Sequence, residues 1–157
     1  MTTEAATLES TELGRRLRSV PAPRPVLERD HEARLTERQR EVLDRLGTLF
    51  DDGFAELTMA DIAANVGCSL RTLYDLAPSR DELVLTVIDR NLRRIGRRAI
   101  SAIQPDLDPL VAIRSYLTAA NQAVAATTPT FARDQAATPA THRLATAHSD
   151  YLVAITR

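Results

Sequence analysis

Apolar residues in this chain recur three and four positions apart and nowhere alternate strictly, a pattern that predicts helices and no strands. The clearest run follows Thr36. There "TERQ" places Thr36 three residues before Gln39, a capping box in which each side chain can bond the other's backbone, and Val42, Leu43, Leu46, Leu49 and Phe50 continue along one face. Gly53 in "DDG" ends this helix, because a residue without Cβ enters the left-handed region freely. Phe54 and Leu57 then return to the core.

Two short helices are expected next. Thr58 before "MAD" is a Thr-x-x-Asp cap for a helix reaching about Asn65, and Ser69, just past Gly67 and Cys68, caps another. In "PSRDEL", Ser79-x-x-Glu82 opens a longer helix through Leu83, Val84, Val87, Ile88, Leu92, Ile95 and Ala99. Three further helices should begin at "DP" (108), "TP" (128) and "TP" (138), each a cap-type residue followed by proline at the first helical position.

The two ends read differently. Residues 1–32 are polar and include "RSVPAPRPVLERD", where Pro21, Pro23 and Pro25 forbid a regular helix, so a disordered or extended arm is expected. The last helix keeps its apolar period to Arg157 without a stop signal, which reads as a truncated chain.

Composition narrows the classes. With 4% aromatic residues and no Trp, the core must come from Leu, Ile, Val and Ala, which favours helices again. A net charge of −1 advertises no polyanion partner, so any nucleic-acid surface has to be local. All 20 basic residues are Arg, a usage that fits a coding bias and also suits planar phosphate contacts. Cys68 stands alone and can form no internal disulfide; with no other Cys and no cation beside it in sequence, it reads as a small apolar core residue. No apolar run approaches the ~20 residues of a membrane span or resembles a signal peptide, so a cytoplasmic protein with no membrane partner is expected. His31, His142 and His148 have no metal-ligand spacing, and no nucleophile-base set or paired carboxylates converge, so neither cofactor, metal nor enzyme activity is expected.

The segment "LTMADIAANVGCSLRTLYDL" holds the candidate chemistry. Two short helices joined abruptly need a small residue at their closest approach, a turn residue tolerating positive φ, and apolar positions facing inward. Ala63 is the small contact, Gly67 the turn, and Ile62, Val66, Cys68, Leu73 and Leu76 the apolar set. This is the spacing of a helix-turn-helix, whose second helix enters a DNA major groove about 12 Å wide.

From Leu35 to Leu85 the sequence resembles the TetR family of bacterial transcriptional regulators. The matching elements are "LFDDGF", "LTMADIAANVGCS" and "LRTLYDLAPSRDEL", in order and without gaps. The resemblance implies an all-α chain: a three-helix DNA-binding domain over residues 33–80, then a helical C-terminal ligand-sensing and dimerisation region over 81–157, incomplete here. It further implies a homodimer on a palindromic double-stranded operator, repressing and released by a small-molecule effector. Two positions depart from the family. Ala77 stands where it usually carries Phe, and Arg80 where it carries Lys.

The candidate DNA contacts are Thr58, Ser69, Leu70, Arg71, Thr72, Tyr74 and Arg80; Ile62, Ala63, Val66, Gly67 and Leu73 build the motif. Arg71 is the second helix's only cation, suited to a bidentate contact with guanine O6 and N7. Thr58 and Ser69 are helix caps that can also meet phosphate, and Leu70 can either touch a thymine methyl or pack inward. Thr72 and Tyr74 match family positions that contact the backbone. Arg80, at a helix start, suits a phosphate. Arg90, Arg93, Arg94, Arg97 and Arg98 read as a solvated face. The rival reading is a helical protein-interaction module using the same three-helix scaffold without DNA, which the near-neutral charge, Leu70, Asp75 and Ala77 favour.

Overall fold

The computed structural model describes residues 12–104 and 108–157, and every regular element among them is a helix. In chain order these are α1 (Glu12–Ser19), α2 (Arg29–Arg34), α3 (Glu37–Asp51), α4 (Met59–Val66), α5 (Leu70–Leu76), α6 (Arg80–Ser101), α7 (Pro109–Ala125), α8 (Pro129–Ala137) and α9 (Pro139–Thr156). The all-α class expected from the periodicity is the one observed. No described helix is long and apolar enough to cross a membrane.

Local chemistry sets the helix ends. Thr36 with Gln39, and Thr58 with Asp61, form reciprocal capping boxes, while Ser69 Oγ accepts from Thr72 N. Ser79 Oγ accepts from Glu82 N at the start of α6. Asp108 and Thr128 cap α7 and α8 ahead of Pro109 and Pro129, so each helix begins with its orphan N–H groups partly satisfied.

The chain divides into two compact units. The larger comprises Arg24–Leu92 and Thr127–Ala145; the other comprises the described residues up to Pro23, Arg93–Ala126 and Thr146–Arg157. Helices α6 and α9 each start in the larger unit and run on into the other.

Val42, Leu46 and Phe50 from α3, Ile62 from α4, Leu73 from α5 and Leu83 and Ile88 from α6 centre the larger unit's core. Phe131 of α8 joins them, its ring 5.8 Å from Phe54, which in turn lies 5.6 Å from Phe50. The boundary expected at residue 80 therefore differs from the packing. The α8 segment belongs with α3–α6, and no local periodicity could reveal a ring contact 77 residues apart along the chain.

The arm expected over 1–32 also needs correction. Residues 1–11 lie outside the described residues, Glu12–Ser19 is helical, and only the proline stretch remains without regular structure. Leu27 is buried, Val26 N donates to Asp89 Oδ2 (3.1 Å), and Arg90 bonds Glu32 of α2 and approaches Asp44 (3.8 Å). Arg90 is thus no part of a solvated face, nor is Arg93, which donates to Pro23 O (2.6 Å). Prolines exclude helix but not burial, and each of these anchors lies dozens of residues away in sequence.

The other unit is built on small residues. Ala99, Ile103, Ala112 and Ala120 pack with Tyr116, which is 1% exposed and whose hydroxyl has no hydrogen-bond partner among the described residues. Burial, with Tyr151 nearby, pushes the Tyr116 phenol up to about 12. A buried polar group without a partner costs about 1–3 kcal/mol, so Tyr116→Phe is expected to raise stability by roughly 1 kcal/mol in urea unfolding. A loss of stability on removing the hydroxyl would show that it is satisfied in solution.

Candidate nucleic-acid interface

Helix α5 is short and two-faced. Leu73 and Leu76 are fully or almost fully buried, whereas Leu70 is 45% and Tyr74 52% exposed and Arg71 and Asp75 also face solvent. Seven residues give a rod about 10 Å long and 10–12 Å across, dimensions that a DNA major groove admits. Thr72 is half-buried.

The connection into α5 depends on Gly67, whose φ of 70° is left-handed. Its N–H and that of Cys68 both reach Ala63 O, closing the C-terminus of α4. Ile62, Ala63 and Val66 of α4 are buried, as is Leu73 of α5.

Two arginines of α3 complete this corner, and sequence reading missed both. Arg38 Nη2 donates to Gly67 O (3.0 Å) and Arg45 Nη1 to Val66 O (3.2 Å), satisfying carbonyls at the end of α4 with charges that also suit its negative pole. Their separation of seven, two helical turns on one face of α3, is the only sequence signal for the pair. Arg38 also bears on Cys68. Burial pushes the Cys68 thiol up and outweighs the Arg38 charge that pulls it down, so the neighbouring cation absent from the local sequence is present in space without activating the sulfur.

The expected DNA contacts are not equivalent. Thr58 Oγ1 donates to Asp61 Oδ2 (2.6 Å), and the same carboxylate accepts from Thr58 N (2.9 Å), which holds Asp61 below the ordinary carboxylate range. The threonine's donor is therefore spent, and a negative charge sits beside it. Ser69 and Thr72 pair their hydroxyls at 3.0 Å, with no carboxylate of the described residues bonded to either. Arg71 and Tyr74 extend from the free face without a hydrogen bond to any described residue.

Arg80 turns inward. Its Nε donates to Leu57 O (2.5 Å) and its Nη2 to Phe54 O and to Ala55 O (3.1 Å), leaving Nη1 3.4 Å from Asp81. In Arg80, expected at a phosphate, Nε and Nη2 instead gather the carbonyls of the turn entering α4. Ala77, at the family's Phe position, is buried with Leu76 in the core cluster.

Asp134 of α8 takes N–H groups of the same turn. Its Oδ2 accepts from Phe54 N (2.8 Å) and Ala55 N (3.0 Å), and its Oδ1 from Arg133 (3.3 Å). Burial alone would raise the Asp134 carboxyl, but the Ala55 and Phe54 N–H groups and the Arg133 charge outweigh it and hold the carboxyl below its ordinary range. A depressed native value means that the carboxylate stabilises the fold above the unfolded-state pKa, near pH 4, and that this contribution fades as pH falls through the native value. Wild type is thus expected to exceed Asp134→Asn in urea stability at pH 7, with the gap closing below about pH 4. A gap that stays constant down to pH 2 would exclude this linkage.

The chain matches no family model, no curated protein and no solved structure. Among the described residues, no group of three or more His, Cys, Asp or Glu could hold a metal ion.

Proposed function

We propose that the chain is a sequence-specific DNA-binding transcriptional regulator in which α4 and α5 form a helix-turn-helix and α5 reads the major groove. One observation carries the reading: a short helix anchored by Leu73 and Leu76 behind a left-handed Gly67 corner presents Leu70, Arg71 and Tyr74 outward. Arg71 is the base reader, Tyr74 and the Ser69–Thr72 hydroxyls bind phosphate, and Leu70 meets a thymine methyl. The TetR-like motif over 35–85 supports the same reading. From that resemblance the proposal takes a homodimer on a palindrome and repression relieved by a small-molecule effector.

A second reading is favoured by charge. The unit holding α5 carries eleven Arg against fifteen Asp and Glu, and two of the outward side chains on α5 are apolar. Such a surface suits a protein partner better than a polyanion.

Selection from a random pool of duplexes separates the readings. Enrichment of a palindrome, with affinity falling linearly in log salt concentration, is the expected result. An enriched half-site without the palindrome removes the dimer from the proposal. No enrichment at low salt removes DNA reading and leaves the protein-interaction module.

A further inference from the structure

We infer that Asp134 and Arg80 are positioning residues for the α4–α5 pair, one holding the N–H groups and the other the carbonyls of the turn that leads into α4. The inference rests on the proposed reading of DNA by α5 and adds residues that no DNA contact requires.

Between the end of α3 at Asp51 and the start of α4 at Met59 the chain has no regular structure to fix its path. Side chains from far away hold it instead. Asp134 accepts the N–H groups of Phe54 and Ala55, while Arg80 donates to the carbonyls of Phe54, Ala55 and Leu57. Thr128, which caps α8, also donates its hydroxyl to Asp51 O, so α8 grips both the end of α3 and the turn beyond it. Gly53 brings the backbone close enough for this grip, since a Cβ there would lie 2.6 Å from Thr130 Cγ2. Thr58, the cap of α4, follows Leu57 directly. A displacement of the turn therefore moves the first turn of α4, and through the Gly67 corner it re-aims α5.

The two anchors are unequal in kind. Asp134 offers both lone-pair directions of Oδ2 to two N–H groups while Oδ1 faces Arg133. An asparagine can present its oxygen to the turn only by aiming its NH2 group at the Arg133 guanidinium. A graded loss follows, with Asp134→Asn intermediate and Asp134→Ala complete.

The test uses the full chain and two readouts, amide hydrogen exchange and affinity for the duplex selected by wild type. Val42→Ala serves as a control that loses core packing and leaves every side chain bonded to the turn in place. In Asp134→Asn, exchange is expected to quicken about tenfold at Phe54 and Ala55 and also at Asp61 and Ile62, whose N–H groups bond Thr58. Duplex affinity should fall at least fivefold, while Val42→Ala stays within twofold of wild type wherever both remain folded. Exchange that quickens only at Phe54 and Ala55, or affinity that follows the Val42→Ala control, overturns the inference. If wild type selects no duplex, the DNA reading fails by itself, and exchange at Asp61 and Ile62 still decides whether the turn sets α4.

Discussion

Alanine at Gly53 is expected to destabilise the larger unit by roughly 2–6 kcal/mol, far more than one added methyl group ordinarily does. Two costs add. At φ 107° an L side chain is strained, by about 1–3 kcal/mol for a sparsely populated backbone region. The new Cβ would also stand 2.6 Å from Thr130 Cγ2 and 3.0 Å from Asp134 Oδ2, and overpacking of this kind costs about 1–3 kcal/mol. Gly67 provides the comparison. Its φ is also positive, but the nearest atom to a Cβ there is Arg45 Nη1 at 4.0 Å, so Gly67→Ala should cost only the backbone strain, about 1–2 kcal/mol. Urea unfolding of both variants measures the difference. In Thr130→Ser the offending γ-methyl is gone, so the Gly53→Ala penalty should shrink in that background. Equal losses at Gly53 and Gly67 would show that α8 does not press on the turn.

Arg71→Ala is expected to lower affinity for the selected duplex about 10- to 100-fold, and to relax preference at one base pair of each half-site. A bidentate guanidinium–guanine contact is worth about 1–3 kcal/mol of discrimination, which sets this range. Because Arg71 is exposed, its removal should leave unfolding stability within about 0.5 kcal/mol, so the loss cannot be ascribed to misfolding. The pattern across sequences identifies the contact. A phosphate-binding arginine would weaken all duplexes alike and reduce the salt slope by about one. Unchanged affinity would remove α5 from the reading role altogether.

Much of the local structure was legible in advance. Each expected helix start lies where a Thr, Ser or Asp precedes the apolar run, because a cap acts within three residues and its partners are neighbours in sequence. The Gly67 corner was legible for a related reason: positive φ leaves few alternatives to glycine. At the candidate site, Leu73 and Leu76 could be assigned inward from spacing alone, whereas the outward placement of Leu70 and Tyr74 came from the packing of the folded chain.

Arg80 shows where that reasoning stops. As a cation at the start of a long helix it suits a phosphate, but its guanidinium is committed to three carbonyls more than twenty residues earlier. Arg38, Arg45 and Arg90 show the same limit. Arg90 reads as part of a solvated face and the other two drew no reading, yet each bonds a group that only folding brings near. Arginine's long side chain reaches in many directions, and its period along a helix fixes a face without naming a partner.

By itself, then, the sequence determined the all-helical class, the starts of the helices from α3 onward, the glycine corner and the inward face of α5, all of which depend on interactions within a few residues. Only the tertiary structure decided that α8 joins α3–α6 through Phe131, that Asp134 and Arg80 hold the turn before α4, and that the proline segment packs by way of Leu27. Those contacts join residues dozens of positions apart, and their stability comes from desolvation and shared hydrogen bonds that exist only once the chain has closed on itself.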